Sequence, residues 1–450
     1  MCYHKAMCAH NQSPSAANST REFVLRHFRF NFTAALVDAV GWPLGMSIIS
    51  AATILPLFVR SLGGSNLEVG LIPALSSMGF LLPQLLTAGY VQRMRIHRRY
   101  VLLVAMVERA FLAALVPLIL LWYTSNPRML LVAFFVAYAA HSIAMGCNNP
   151  AYTALISKLI PADRRGRLYG VGGTVGGILG LGGAFLARQV LQYYGLRIGF
   201  TLCFALALFV LVVTVIPLGF MREYPQNPPH EDGSLGKQFR RIVGIVRRDV
   251  HFARFLLSQV LQSFSVMAGA FYTVYAIQRF HVGSAEVGTY TVVLQAAGTA
   301  SGLLWGYAAD HKGNRWLLIV GSVLMAVTPL AALWVPSREL YPAVFLLSGL
   351  AVNAYELAIF NIVMEFCPPS DVPAYAALRA TVVAPFRTLA PVVGGILADE
   401  VGYAAVFVLS AGAALLGLPL VIAMKEPRHE RECLMSGADF DVSEREAVGK

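Results

Sequence analysis

The sequence predicts an all-α, polytopic membrane protein: twelve transmembrane helices in two pseudo-symmetric six-helix bundles. Three observations carry this. Of 450 residues, 57% are hydrophobic and 13% charged, against about 25% charged in ordinary globular domains. Apolar runs approaching the roughly 20 residues that cross a hydrocarbon core about 30 Å thick recur along the chain. Three short stretches also repeat in the same order, offset by 217 or 218 residues: SNLEVG at 65–70 with GSAEVG at 283–288, GY at 89–90 with 306–307, and GGIL at 176–179 with 394–397. Each match alone is weak in a chain rich in Gly and Leu; in one order and at one spacing they argue for a duplicated six-helix unit.

Taken in order, residues 1–33 form a polar tail without the apolar core and small-residue cleavage site of a secretory signal. Helices are predicted near 34–59, 67–91, 99–123, 129–158, 166–191 and 197–220, the first bundle spanning 34–220. A linker over 221–250, rich in Pro, Gly and charge, follows. Helices near 251–279, 284–309, 315–335, 341–366, 372–397 and 402–424 make the second bundle, 251–424, and a charged tail fills 425–450. Lys and Arg concentrate in cytoplasmic loops, and the even-numbered loops hold most of them. Loop 2–3 has Arg93, Arg95, Arg98 and Arg99, loop 4–5 has Arg164, Arg165 and Arg167, the linker holds six, and loop 8–9 adds Lys312 and Arg315. The odd junctions carry about one each. Both termini are therefore expected in the cytoplasm of a multi-pass cell-membrane protein. Loop 10–11, CPPSDVP, is the exception, with Asp371 and no base.

The net charge of +11 is read as this loop bias rather than as a nucleic-acid footprint; the expected surroundings are the lipid bilayer, and the expected state is a monomer. Six scattered cysteines show no metal-ligand spacing. No phosphate-cradling loop or nucleophile motif stands in a soluble domain, so neither an enzyme nor a cofactor or metal site is expected.

Between helices 8 and 9 the chain reads Gly306-xxx-Asp310-xx-Gly313-Asn314-Arg315. With twelve spans, two similar halves and a long central linker, this resembles the major facilitator superfamily, whose loop signature is a glycine, an acid four residues on, then a glycine and bases. The copy in loop 2–3 is inverted, with Arg93 where the acid should stand. Asp163-Arg164-Arg165-Gly166-Arg167 is similar to the family's loop 4–5. The glycines at 172–177 and the run Ala390-Pro391-Val392-Val393-Gly394-Gly395 are similar to an antiporter pattern of helix 5; they also serve plain close helix packing. The resemblance implies alternating access about a cavity lined by helices 1, 4, 7 and 10. It further implies that each signature loop faces the other half. Asp310 would then meet the start of helix 5 and Arg164, Arg165 and Arg167, while Arg93 or Arg95 would meet Asp371, with Gly306, Gly313 and Arg315 completing the gate.

Ionisable groups inside a membrane are costly and mark sites by default. Here they are Asp38, Glu108, Arg109, His141, Glu356, Arg379 and Arg387. His141, Asn148 and Tyr152 share one face of helix 4 with Asn149 adjacent, and Gln259, Gln262 and Ser263 share one face of helix 7. Aligning the halves through Pro161 and Pro368 puts Asn149 opposite Glu356. The expected substrate contacts are Asp38, His141, Asn148, Asn149, Gln259, Gln262, Asn353 and Glu356. For coupling they are Glu356, Arg387 and Asp38, since a desolvated carboxylate can exchange a proton near neutral pH. A permanent Glu356–Arg387 ion pair is the plainer alternative, and Glu108 with Arg109 reads as a structural pair with helix 2 or 4. The expected function is secondary transport of a small solute, coupled to protons, with efflux of an amphipathic or cationic compound suggested by the acids; Arg387 leaves an anionic or zwitterionic substrate open. The rival is a transport-inactive scaffold, assembly factor or sensor. If the inverted signature pairs across the halves, Arg93→Asp impairs transport and adding Asp371→Arg partly restores it. A double variant no better than the single one discards the pairing.

Overall fold

The computed structural model describes residues 14–225, 250–367 and 372–424. Asp371, the predicted partner of Arg93, lies outside the described residues, as do most of the linker and of the two tails. Every long element among the described residues is a helix. The first pass is α1 (Pro14–Ile48), which starts well before the predicted first span and continues, after a break at 49–53, as α2 (Ile54–Ser61). Next come α3 (Asn66–Gln92), α4 (Arg98–Trp122), α5 (Pro127–Leu159) and α6 (Ala162–Val215). Two passes run through α6, joined at Gly195, whose φ of 67° and ψ of 174° turn the chain in a region that side chains resist.

In the second half, α7 (Val250–Val266) and α8 (Tyr272–Phe280), separated by a 3-10 turn at Met267–Ala270, make one pass. It is followed by α9 (Ser284–Lys312), α10 (Asn314–Trp334), α11 (Pro342–Glu365), α12 (Val372–Glu400) and α13 (Tyr403–Ile422). Nine helical stretches among the described residues are long and apolar enough to cross a membrane on their own. The stretch at 163–220 bends and crosses twice, and the passes through α1–α2 and α9 complete twelve. Leu86, Leu103, Phe209 and Leu416 point outward, the surface a bilayer requires, and Tyr193, Tyr194 and Trp334 are exposed near helix ends, where interfacial aromatics belong.

The repeated sequences turn out to be helix starts and helix crossings. Glu68 accepts from the backbone N–H of Ser65 (2.7 Å) and Glu286 from that of Gly283 (3.0 Å), so each acid caps the second helix of its half. Two residues on, each EVG glycine sits where the halves meet. A Cβ on Gly70 would strike the Pro391 backbone of α12, and one on Gly288 would lie 2.6 Å from the Arg188 Cα of α6. The GGIL pairs divide their labour in the same way. Gly176 faces Val40 and Pro43 of α1 in its own half, whereas Gly177 faces Thr299 of α9; Gly394 faces Met267 and Phe271, whereas Gly395 faces Asn66 and Leu67 of α3. Thus α3 packs on α12 and α6 on α9, the two main seams between the halves.

These seams close at the face away from the termini. There Asp399, at the end of α12, accepts hydrogen bonds from the N–H groups of Asn66 (3.2 Å) and Leu67 (3.0 Å) at the start of α3, and Tyr403 donates to Asn66 Oδ1 (2.5 Å). A carboxylate from one half thereby serves the positive end of a helix in the other. Thr53 and Thr291 hydrogen-bond across the same face (2.7 Å), and Thr273 donates to the Ala52 carbonyl (2.9 Å). At the terminal face the glycines facing that end, Gly89, Gly166, Gly170 and Gly306, have nothing within 4 Å of a Cβ position. The hydrogen bonds named between the halves lie on the side away from the termini; the side of the termini, where these four glycines have open space beside them, is the open face.

At that open face the first half is locked internally. Glu223, just past the sixth pass, accepts from the N–H groups of His97 and Arg98 (both 2.8 Å) and from Lys158 Nζ (2.9 Å). Lys158 also donates to the Arg95 carbonyl (2.9 Å), and Asn31 pairs twice with the Arg222 backbone. The exit of the sixth pass is thus tied to α1, to α5 and to the start of α4. Burial alone would push the Glu223 carboxyl up, but these donors outweigh it and hold it down at about 2, from an ordinary 4.5.

Two outcomes follow from these clamps. Glu223→Gln strands the Lys158 charge and costs about 3 kcal/mol in detergent-solubilised unfolding. Because the folded-state value is depressed, that stabilisation is present above pH about 4.5 and fades toward pH 2, so the gap between wild type and variant narrows as pH falls; a constant gap refutes the assignment. Asp399→Ala removes a helix-end charge contact worth about 1 kcal/mol, near a fivefold change in a conformational ratio. It should raise maleimide labelling of a Thr53→Cys reporter from the sealed face.

Candidate functional site

Among the described residues, two cavities take in the polar candidates. The larger, about 660 Å³, lies between the halves, with Ala51 and Pro73 on one wall and Gly298, Asn353 and Glu356 on the other. Asn353 donates to the Gly298 carbonyl (2.6 Å), fixing α11 against α9. Glu356 of α11 and Arg387 of α12 form an ion pair at 2.5 Å. Their side chains are 43% and 34% exposed. Arg379, on the same helix as Arg387, is within electrostatic reach of Glu356, and its Nε is buried without a hydrogen bond.

The second cavity, about 400 Å³, lies wholly within the first half. Asp38 and Trp42, one turn apart on α1, face it together with Glu108 and Arg109 of α4 and Asn148, Asn149 and Tyr152 of α5. Arg109 is spent on the backbone: Nε donates to the Leu211 carbonyl (2.8 Å) and Nη1 to that of Ala105 (3.0 Å), with Glu108 Oε2 at 3.8 Å. His141 is buried, its Nδ1 3.3 Å from the Glu108 carbonyl and 3.8 Å from its carboxylate, the ring stacked between Trp42 and Tyr138. Tyr152 hydrogen-bonds to Asp38, and Asn149 donates to Gln84 (3.3 Å). Glu108 Oε1 and Asn148 Oδ1 are buried and accept no hydrogen bond.

The structure therefore brings Asp38, Asn148 and Asn149 to one cavity, Asn353 and Glu356 to another, and His141 just behind the first. Asn149 and Glu356 do not share a cavity. Gln259 and Gln262 turn away from both: they are buried within the second half, where Gln262 donates to Ser322 of α10 (2.7 Å). One amide nitrogen of this α7 face is met by a neighbouring hydroxyl, while Gln259 Nε2 and Gln262 Oε1 are buried without a hydrogen bond. Glu108 and Arg109, read as a structural pair with helix 2 or 4, do meet helix 4 through His141, but they also line the cavity, and Arg109 reaches the sixth pass. An acid and a base adjacent at mid-span, level with His141, were the signal for them; Trp42 was signalled only by standing four residues after Asp38.

The gating candidates sit on the open face. Arg165 caps the end of α5 through the Ile160 and Ser157 carbonyls, Arg315 caps α13 through those of Val421 and Ile422, and Arg164 pairs with Asp163 (3.2 Å). These contacts stay within one half. Arg93 ends α3, the Arg95 carbonyl holds Lys158, and Arg167 follows one turn into α6. Asp310 is exposed in the last turn of α9, and Gly313, at φ 85°, breaks α9 from α10 where a side chain would be strained.

Comparison with known proteins places this geometry. The family model described as Major Facilitator Superfamily matches residues 39–278 and 255–438. The MFS-type transporter ppzB of Metarhizium majus (strain ARSEF 297) is 28% identical over 146 residues, 32% of this chain and 32% of that protein, so the match spans about a third of either. Among solved structures, a D-xylose–proton symporter aligns with a TM-score of 0.66 and 16% identity over 89% of this chain and 99% of that one. A mutant of the nucleoside transporter NupG aligns with 0.66 and 12% over 88% and 99%. A bacterial homolog to the human lysosomal transporter Spinster, inward-facing and unoccupied, aligns with 0.62 and 16% over 92% and 97%. At these identities the structural likeness is one of fold.

Proposed function

Because the chain belongs to the major facilitator superfamily, a family of secondary transporters, we propose that it exports a small amphipathic solute by alternating access, coupled to protons through Glu356. The termini and the basic loops are assigned to the cytoplasm, so the open face is the cytoplasmic one and the seal at Asp399, Thr53 and Thr291 is the outer gate. The observation that carries this reading is the Glu356–Arg387 pair, close-contacting yet only part-buried, with Glu356 on the wall of an inter-half cavity. With Glu356 ionised, Arg387 is neutralised and α11 is held to α12. When the carboxylate takes up a proton from the aqueous side, the pair loses its charge attraction and Arg387 must find another partner. Movement of α12 is the available response, and α12 carries Gly395 and Asp399, the residues that close the outer seam on α3. Proton uptake is thus joined to the seal through one continuous helix, proposed as the two-state element that both events bias. The gating arginines and Asp310 are assigned to the opposite conformation, in which the cytoplasmic ends approach.

The test uses compounds first selected by thermal stabilisation of the purified protein, then followed in proteoliposomes. Glu356→Gln should abolish flux driven by a pH gradient while exchange of solute at equal pH continues. Flux that keeps its pH dependence in the variant removes Glu356 from coupling. A wild-type protein that moves none of the stabilising compounds favours a scaffold or sensor.

A further inference from the structure

The cavity inside the first half is separate from the one that holds Glu356, and its chemistry names a ligand. We infer that it is a binding site for an aromatic protonated amine; this rests on the carrier reading above and specifies its substrate class. The charge balance comes first. Asp38 and Glu108 bring two carboxylates and Arg109 one cation, already engaged by the carbonyls of Leu211 and Ala105. With both carboxylates ionised and His141, 3.8 Å from Glu108 Oε1, uncharged, one negative charge is left in a membrane interior, where an unbalanced charge costs several kcal/mol unless a cavity or partner meets it.

The unpartnered atoms give the second argument. Glu108 is 2% exposed, and both its Oε1 and Asn148 Oδ1 are buried acceptors without a donor. Buried polar atoms left unpaired mark a place where a group is missing. Two acceptors ask for two N–H donors, which a secondary or primary ammonium supplies with its charge. The third argument is the wall. Trp42, Phe80, Tyr152 and Tyr169 line the same space, and aromatic faces attract a desolvated cation while accepting the ligand's own rings. At about 400 Å³ the space lies in the range of small-molecule sites and is too large for a bare proton or metal ion alone. The tilt of α1 that would follow closing on such a ligand acts on Gly176, which touches Val40 and Pro43, so occupancy is felt at the α6–α9 seam.

The experiment titrates purified protein in detergent with N-benzylphenethylammonium by calorimetry, with benzyl phenethyl ether as the neutral isostere. Saturable binding of the ammonium is expected in the wild type. Glu108→Gln and Asp38→Asn should each weaken it about tenfold or more, the effect of losing about 1.4 kcal/mol, and should not alter binding of the ether. Gly173→Leu, placed where a Cβ meets nothing within 4 Å, keeps both carboxylates and should block the ammonium by filling the space, so that a folding defect in one acid variant does not decide the matter. Equal affinity in the wild type and both acid variants overturns the site, as does absence of saturable binding in the wild type. Loss in Glu356→Gln with none in Glu108→Gln moves the ligand to the inter-half cavity and also overturns it. Because the readout is binding, any of these results leaves the carrier reading to be judged by flux.

Discussion

The arrangement depends on two close helix crossings, α3 on α12 and α6 on α9. Within a membrane there is no hydrophobic drive between helices, so association rests on contact between backbones that come near enough to pack. Glycine makes this possible at matched places in the two halves: Gly70 and Gly395 in one seam, Gly177 and Gly288 in the other. Because each of these glycines has its counterpart 218 residues away, both seams are built by one rule from matched parts of the two halves.

Around those seams, the low dielectric decides where charge can sit. Arginines at the open face are spent on the last carbonyls of neighbouring helices, as Arg165 and Arg315 show, which satisfies groups that a helix end leaves bare. Glu223 is surrounded by donors and tied to two elements, the start of α4 and the end of α5. Glu108 is the contrast. It is 2% exposed, yet one oxygen has no donor, whereas both oxygens of Glu223 are met by donors.

The number of passes, the position of nearly every helix and the duplication were legible in the residues, because hydropathy and turn chemistry act locally and repeats are read by eye. The capping role of Glu68 and Glu286 was latent in the repeated EVG, since an acid three residues into a helix has one common use. The site was legible in part. Asp38, Asn148 and Glu356 announced themselves as polar groups in apolar runs, whereas Gln259 and Gln262 announced themselves equally and are buried within the second half, away from both cavities. Periodicity reports that polar side chains share a face; it cannot say whether that face meets a cavity or a neighbour's hydroxyl, as Gln262 meets Ser322.

By itself, then, the sequence determined a twelve-pass, duplicated, all-helical membrane protein with a basic terminal face, because each of those properties follows from composition and short-range spacing. Tertiary structure alone decided that Glu108 and Arg109 join Asp38 in one cavity and that Arg387 reaches Glu356. It also decided that Asp399 closes the face away from the termini by capping a helix some 330 residues earlier in the chain. Those contacts depend on the angle and depth at which helices cross, and backbone approach at a handful of glycines sets that geometry.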